Sequence, residues 1–450
     1  ERAAGTVRGP LHGIPVLLKD NIATGDQMHT TAGAYALKEW RADRDAFLVQ
    51  QLRNGGAIIL GKANLSEWAG YLDPCTPNGF TALGGQTRNP FGPYDTLGSS
   101  SGSASSVSAK LATVSVGTET AGSLVQPARY NGVVGMRPSQ GLVSRDHVIP
   151  LSPELDTPGP MGRSVTDVAL LLTAMAGVDA NDAKTADAAP LAGTDFTQYL
   201  SLDAARKLRV GVIIPTQAIS TSLEGQAAML EQATGKPLSD AERNSLLEQE
   251  ILPSWGGDPQ VAIKALEALG IEVVPIEDST LPQLPDTSRP LLAHSFKTGL
   301  DALLAGLPVP APVGSLADIV AVNDEDPANR VPFGQAFLTT AAADTLTDAE
   351  YDRVRATAQA IAHTWIKTVL ASNNVDVLVS GMTYASNAGA AGVPALTIPA
   401  GRDPSGRPQG VILSGDYLSD PQLIALGYAL EQQLQGRVEP DLDAVISTFP

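Results

Sequence analysis

Three short segments hold the residues whose types and spacing suggest chemistry. In GIPVLLKDNI, Gly13 to Ile22, an apolar run that reads as a strand ends in Lys19, Asp20 and Asn21. A lysine at the end of a buried strand is costly unless its charge is paired or its pKa is lowered, and a neutral lysine is a general base. Taken alone, the residue reads better as a lysine that snorkels to water. In LGSSSGSASSVSAKLA, Leu97 to Ala112, the Gly and Ser run forms an irregular turn that feeds a helix N-terminus, with hydroxyls capping free amides. A flexible linker has a similar composition, but Val107, Leu111, Val114 and Val116 resume an apolar pattern at once. In GTETAGS, Gly117 to Ser123, the small-residue turn Thr120, Ala121 and Gly122 can aim successive backbone amides at one point, as an oxyanion hole requires. Ser123 closes that turn, and by itself reads equally well as a helix N-cap.

Other motifs carry less. GAIILGK, Gly56 to Lys62, resembles a phosphate-binding loop until Ala63, where the magnesium-binding Ser or Thr should stand, and its interior is that of a buried strand. GSSSG, Gly98 to Gly102, formally matches a nucleophile elbow with Ser100 as nucleophile. An elbow follows a hydrophobic strand, whereas Asn89 to Thr96 is polar and contains Pro90 and Pro93. The histidines His12, His29, His147, His294 and His363 show no metal-ligand spacing and read as ordinary surface or core residues.

These segments need a frame to hold them. Short apolar runs alternate with amphipathic stretches: Ile14 to Leu18, Ala46 to Arg53 at helical spacing, then Ala57 to Leu60. The rhythm returns at Lys207 to Ile214, at Ala262 to Leu269 followed by Ile271 to Pro275, and at Val375 to Val379, which predicts an α/β fold. With 43% hydrophobic and 17% charged residues, the 450-residue chain has ample material for one large core. Its formal charge of −18 argues against nucleic acid as a partner. The single cysteine, Cys75, excludes an intramolecular disulfide and a cysteine-rich zinc site. No apolar stretch approaches the roughly 18 residues of a membrane span, and no signal peptide is visible. The chain reads as soluble, cytoplasmic or exported, and, beginning with Glu1, as processed or truncated.

Together the three segments resemble the amidase signature family of serine hydrolases. The stretch GSSSGSASSVSAKLATVSVGTETAGSLVQPARYNGVVGMRP, Gly98 to Pro138, looks like the signature itself, with KDN upstream. LGKANLSEW, Leu60 to Trp68, and TALGGQTRNP, Thr81 to Pro90, are similar to the branch containing bacterial peptide amidases, and the likeness runs on to AGVPALTIPAG, Ala391 to Gly401. The resemblance implies a large mixed central sheet covered by helices on both faces. It implies a Ser-cisSer-Lys triad with Ser123 as nucleophile, Ser99 as the bridging serine on a cis peptide and Lys19 as base. The oxyanion hole would be the backbone amides of Thr120, Ala121, Gly122 and Ser123. The reaction implied is amide hydrolysis through an acyl-serine intermediate, without metal or organic cofactor.

On this reading residues 1–450 form a single domain. Residues 1–175 make the catalytic core, about 180–370 a variable helical covering region, and 371–450 the C-terminal part of the core. Only 18 residues precede Lys19, so the family's N-terminal segment is read as absent, and the protein as a monomer or homodimer. Ala121 stands where relatives usually carry Gly or Asp, a change expected to act on specificity. The link from Val379 to Ala391, often a border of the substrate entrance, looks short. Leu124, Val125 and the covering region are expected to build an apolar acyl pocket that prefers an uncharged acyl side, since Lys110 is the one charged residue between Gly98 and Val116. The substrate expected is a peptide C-terminal amide or a small aryl or alkyl amide. The alternatives are a glutaminase subunit of a transamidation complex and a noncatalytic binding homologue. Because no metal-ligand spacing is present, EDTA should leave hydrolysis unchanged; activity lost in EDTA and restored by zinc would contradict this.

Overall fold

The structure, a computed structural model, describes residues 1–234, 236–247, 259–282, 289–307, 312–380 and 382–449. Ten strands form one sheet: β1 (Pro15–Lys19), β2 (Ile58–Ala63), β5 (Val114–Glu119), β6 (Val134–Arg137), β7 (Thr157–Gly162), β8 (Arg209–Ile214), β9 (Glu272–Glu277), β10 (Val377–Ser380), β11 (Ala395–Arg402) and β12 (Pro408–Gly415). The remaining two, β3 (Phe80–Thr81) and β4 (Gly85–Gln86), make a small separate hairpin. The sheet order is β2-β1-β5-β7-β6-β11-β12-β10-β8-β9. Its two ends are parallel, β2-β1-β5 and β10-β8-β9, and the strands between them run antiparallel to their neighbours. The fold is therefore α/β with a large mixed sheet, as expected.

Strand side chains alternate between the two faces, and both faces are apolar. Val377 and Val379, Leu396 and Ile398, and Val411 and Leu413 belong to one core, which helices α1 (Phe47–Asn54), α4 (Val165–Met175) and α8 (Asp420–Leu434) help to fill. The intervening Leu378, Ala395 and Ile412 turn to the other face and meet Val125, Trp365 and Val369. Helices α2 (Ser101–Ser108), α3 (Val125–Tyr130), α6 (Asp348–Asn373) and α7 (Met382–Ala391) belong to this second side. A further apolar cluster joins Trp40 and Trp68 to Phe296 and Leu300 of α5 (Arg289–Ala305), with Trp68 and Phe296 edge to face at 5.8 Å.

The strands predicted at Lys207 to Ile214 and Ile271 to Pro275 are β8 and β9, so the interval 180–370 extends the sheet as well as supplying helices. Part of that interval, including residues 248–258 and 283–288, lies outside the described residues. One expectation needs correction. The run Ala57 to Leu60 reads in sequence as a buried strand, but β2 pairs with β1 alone and ends the sheet, leaving Ile58 and Leu60 each 53% exposed. An apolar run does not distinguish a central strand from an edge strand; that depends on pairing partners far away in the chain.

Candidate active site

Lys19 is the last residue of β1, where pairing with β2 on one side and β5 on the other holds the backbone. Its side chain has no exposure. The amine nitrogen lies 2.7 Å from Ser99 Oγ, 2.9 Å from Thr118 Oγ1 and 3.1 Å from the Thr118 carbonyl oxygen. Burial pushes the Lys19 pKa down from 10.5 to about 7, against the opposing pull of the Asp156 and Glu119 carboxylates. A neutral amine has two protons and one lone pair. With the protons on the Thr118 carbonyl and hydroxyl, the lone pair faces the Ser99 hydroxyl, which can then donate to it. Asn21 steadies this arrangement, since its Nδ2 donates to Thr118 Oγ1 at 3.1 Å and to the Ile149 carbonyl at 3.2 Å.

Ser99 precedes α2, and the peptide joining it to Gly98 is cis. Its carbonyl accepts from the Ser66 amide at 3.0 Å. Ser100 is fully buried and structural in its contacts. Its hydroxyl donates to the Thr118 carbonyl at 3.0 Å, and its amide donates to the Ser123 carbonyl at 3.2 Å. That second bond ties the serine run to the GTETAGS turn. Lys62, from the motif that resembled a phosphate loop, donates to the Ile22 carbonyl at 2.6 Å and to Thr30 Oγ1 at 2.8 Å.

The turn itself leaves the end of β5. Gly122 has φ +88°, a backbone geometry that favours glycine. Ser123 is half-buried, and its hydroxyl has no hydrogen-bond partner among the described residues. The amides of Ala121, Gly122 and Ser123 likewise have no acceptor among the described residues, so three backbone donors remain available at one turn. Glu119 holds the turn from below: its Oε2 accepts from the amides of Leu124 and Val125 at 2.7 and 3.2 Å, at the start of α3. Arg137, with no exposure, donates to the carbonyls of Glu119 at 3.0 Å, Thr120 at 3.2 Å and Leu155 at 2.7 Å. At Gly389 of α7 an added Cβ would fall 2.2 Å from the Thr120 carbonyl oxygen, so only glycine allows that helix to approach the turn.

The structure thus places Lys19 and Ser99 in direct contact, and ties Ser123 and the turn Thr120 to Ser123 to them through Ser100 and Thr118. None of the five histidines hydrogen-bonds to Lys19, Ser99 or Ser123 among the described residues. Among the described residues, no group of three or more His, Cys, Asp or Glu side chains is placed to hold a metal ion. No helix among them is long and apolar enough to cross a membrane. The expectation that Leu124 and Val125 line an acyl pocket fails. Both have no exposure, Leu124 packing with Val107 and Met161, and Val125 with Ile213 and Ile412. They open α3, whose inner face joins the core. The side chains of 381–386, in the link expected to border the entrance, lie outside the described residues.

Thr118 and Glu119 lie within the segment singled out from sequence, yet nothing in that segment marks their roles. Arg137 and Asp156 carry no local mark of a role at the turn either, because the residue of the turn that each of them meets, Thr120, lies 17 and 36 positions away.

A family model described as Amidase matches residues 1–245. A probable amidase of Arabidopsis thaliana is 36% identical over 96% of this chain and 78% of its own length. The native peptide amidase of Stenotrophomonas maltophilia superposes with a TM-score of 0.84 at 40% identity, covering 98% of this chain and 87% of that one. A glutamyl-tRNA(Gln) amidotransferase subunit from Halorhodospira halophila is 30% identical over 94% of this chain and 84% of its own length.

In the role of base that the resemblance implies, the buried Lys19 amine would accept a proton only when neutral, which sets the sign of the expected pH dependence. Protonation disables it, so kcat/KM should fall as pH drops through about 7 and stay level into mildly alkaline solution. Lys19→Ala should abolish the acylation step, while single replacements of the histidines leave the midpoint unmoved. An acid limb that vanished with one histidine while Lys19→Ala stayed active would contradict the assignment.

Proposed function

The chain belongs to the amidase signature family and is an amidase, and from that premise we propose that it hydrolyses carboxylic amides through an acyl-serine intermediate on Ser123. The observation that carries the proposal is the fully buried Lys19 amine 2.7 Å from the Ser99 hydroxyl, beside a serine-ended turn with unpaired amides. In this reading Ser123 Oγ attacks the amide carbonyl as its proton passes to Ser99 and that of Ser99 passes to Lys19. The carbonyl oxygen takes up the electron pair and is met by backbone amides in the turn Thr120 to Ser123, each well-placed donor contributing roughly 3 to 4 kcal/mol. Lys19 returns the proton through Ser99 to the departing nitrogen, the carbon–nitrogen bond breaks, and ammonia or an amine leaves. Water then enters by the same relay, adds to the acyl carbon and releases the acid.

The substrate class we propose is a peptide C-terminal amide or a small aryl or alkyl amide. Its support is the likeness to the peptide amidase, 40% identical with 98% of this chain covered, against 30% over 94% of this chain for the amidotransferase subunit. Three measurements test the whole. Ser123→Ala should lower kcat by at least about 10³-fold without altering thermal unfolding, as loss of a serine nucleophile does elsewhere. A fluorophosphonate probe should label Ser123, and labelling of Ser100 instead would restore the elbow reading. In a panel of a peptide amide, an anilide and glutamine, the peptide amide should be turned over fastest; a clear preference for glutamine would favour the transamidation alternative, and no turnover of any would favour a binding homologue.

A further inference from the structure

We propose that Asp156 is a positioning residue for this reaction: its carboxylate pins the turn ahead of Ser123 through the Thr120 hydroxyl and supplies negative charge that balances Lys19. The inference rests on the triad proposed above.

Asp156 immediately precedes β7, whose first residue Thr157 pairs with Glu119 at the end of β5. That register brings it level with the turn. One carboxylate oxygen, Oδ1, accepts from the Thr120 hydroxyl; the other accepts from the amides of Leu151 and Ser152 at 2.8 and 3.0 Å. Three donors converge on one group that is 7% exposed, which suits the ionised form. Burial pushes the carboxyl above the usual carboxylate range, and Thr120, the two amides and Arg145 reduce that rise without cancelling it. The titratable groups near it are Lys19 on β1, Glu119 on β5, Arg137 on β6 and Arg145 in the preceding loop, and Asp146, His147 and Asp182 line one cavity with it. Arg145 is engaged by Asp182, and Glu119 by Arg137 and the first amides of α3. Asp156 opposes the effect of burial on Lys19 more than Glu119 does. Thr118 also shares the wall of that cavity, which measures about 340 Å³ and lies under α5.

The two contributions separate in two variants. Asp156→Asn retains an oxygen for the Leu151 and Ser152 amides but removes the charge and the acceptor of Thr120. Thr120→Val removes the hydroxyl and leaves the charge. Both should lower kcat about 10- to 100-fold with KM within about 2-fold, as small misplacement of a reacting centre does. Only Asp156→Asn should move the acid limb of kcat/KM, and to lower pH by about one unit, since a lysine facing less negative charge gives up its proton more readily. The double variant should lose no more kcat than the worse single one, because both act through one contact. Thr120→Ser, which restores the hydroxyl, should recover most of kcat. Wild-type kcat and an unmoved limb in a folded Asp156→Asn, with Ser123→Ala inactive, would overturn the inference and leave the amidase reading standing. If Ser123→Ala stayed active, the triad itself would fail. Should Asp156→Asn not fold, the Thr120 pair decides: loss in Val with recovery in Ser supports the contact, and two wild-type enzymes overturn it.

Discussion

An amine kept out of water at the end of a strand is the constraint on which the rest of this structure depends. A fall in the Lys19 pKa from 10.5 to about 7 corresponds to about 5 kcal/mol of preference for the neutral form. Between those two values the unfolded chain binds the proton and the folded chain does not. Stability therefore rises with pH across that window, and near neutrality the fold carries most of the cost. The large two-sided core around the sheet offsets it. In the proposed mechanism the protein gains a base that works without histidine, and such a base is useful only while every neighbour of the amine stays in place. Thr118 meets it with two oxygens, Asn21 holds Thr118, and Ser99 occupies the remaining direction.

Charge around the amine has to be balanced. Too much negative charge would return the proton to Lys19, and none would leave the protonated form, once the relay has run, without compensation. Glu119 and Asp156 are the two carboxylates concerned, and each is committed to other donors. Glu119 serves the first amides of α3 and Asp156 serves Thr120 and its own loop. The fully buried Arg137 stands beside Glu119 and collects the carbonyls of Glu119, Thr120 and Leu155. The same side chains that set the electrostatics around the Lys19 amine thus fix the turn bearing Ser123. Removing one partner of such a buried set leaves the others uncompensated, so its members are expected to behave as a unit.

Much of this is legible in the sequence, and the limits of legibility have a physical pattern. Lys19 after an apolar strand, the Gly and Ser run and the small-residue turn are local features, written in consecutive residues, and the structure brings all three together. The edge position of β2 is not legible, because the run Ala57 to Leu60 is apolar whether or not a second strand covers it. Leu124 and Val125 mislead for a related reason. Adjacency to Ser123 in the chain suggests adjacency to substrate, yet a helix begins there and turns both side chains into the core. Asp156 carries no local signal of its tie to the turn, since the Thr120 hydroxyl reaches it only through the β5 and β7 register.

The central claim is that Lys19 is neutral when the enzyme works, and it can be read without any substrate. Lysine labelled with ¹⁵N at the side-chain nitrogen, with the Lys19 resonance assigned by its disappearance in Lys19→Arg, gives the titration of this one amine in the folded protein. A midpoint near 7 is the expected result. A Lys19 that remained protonated up to about pH 10, as an exposed lysine does, would contradict its role as the base.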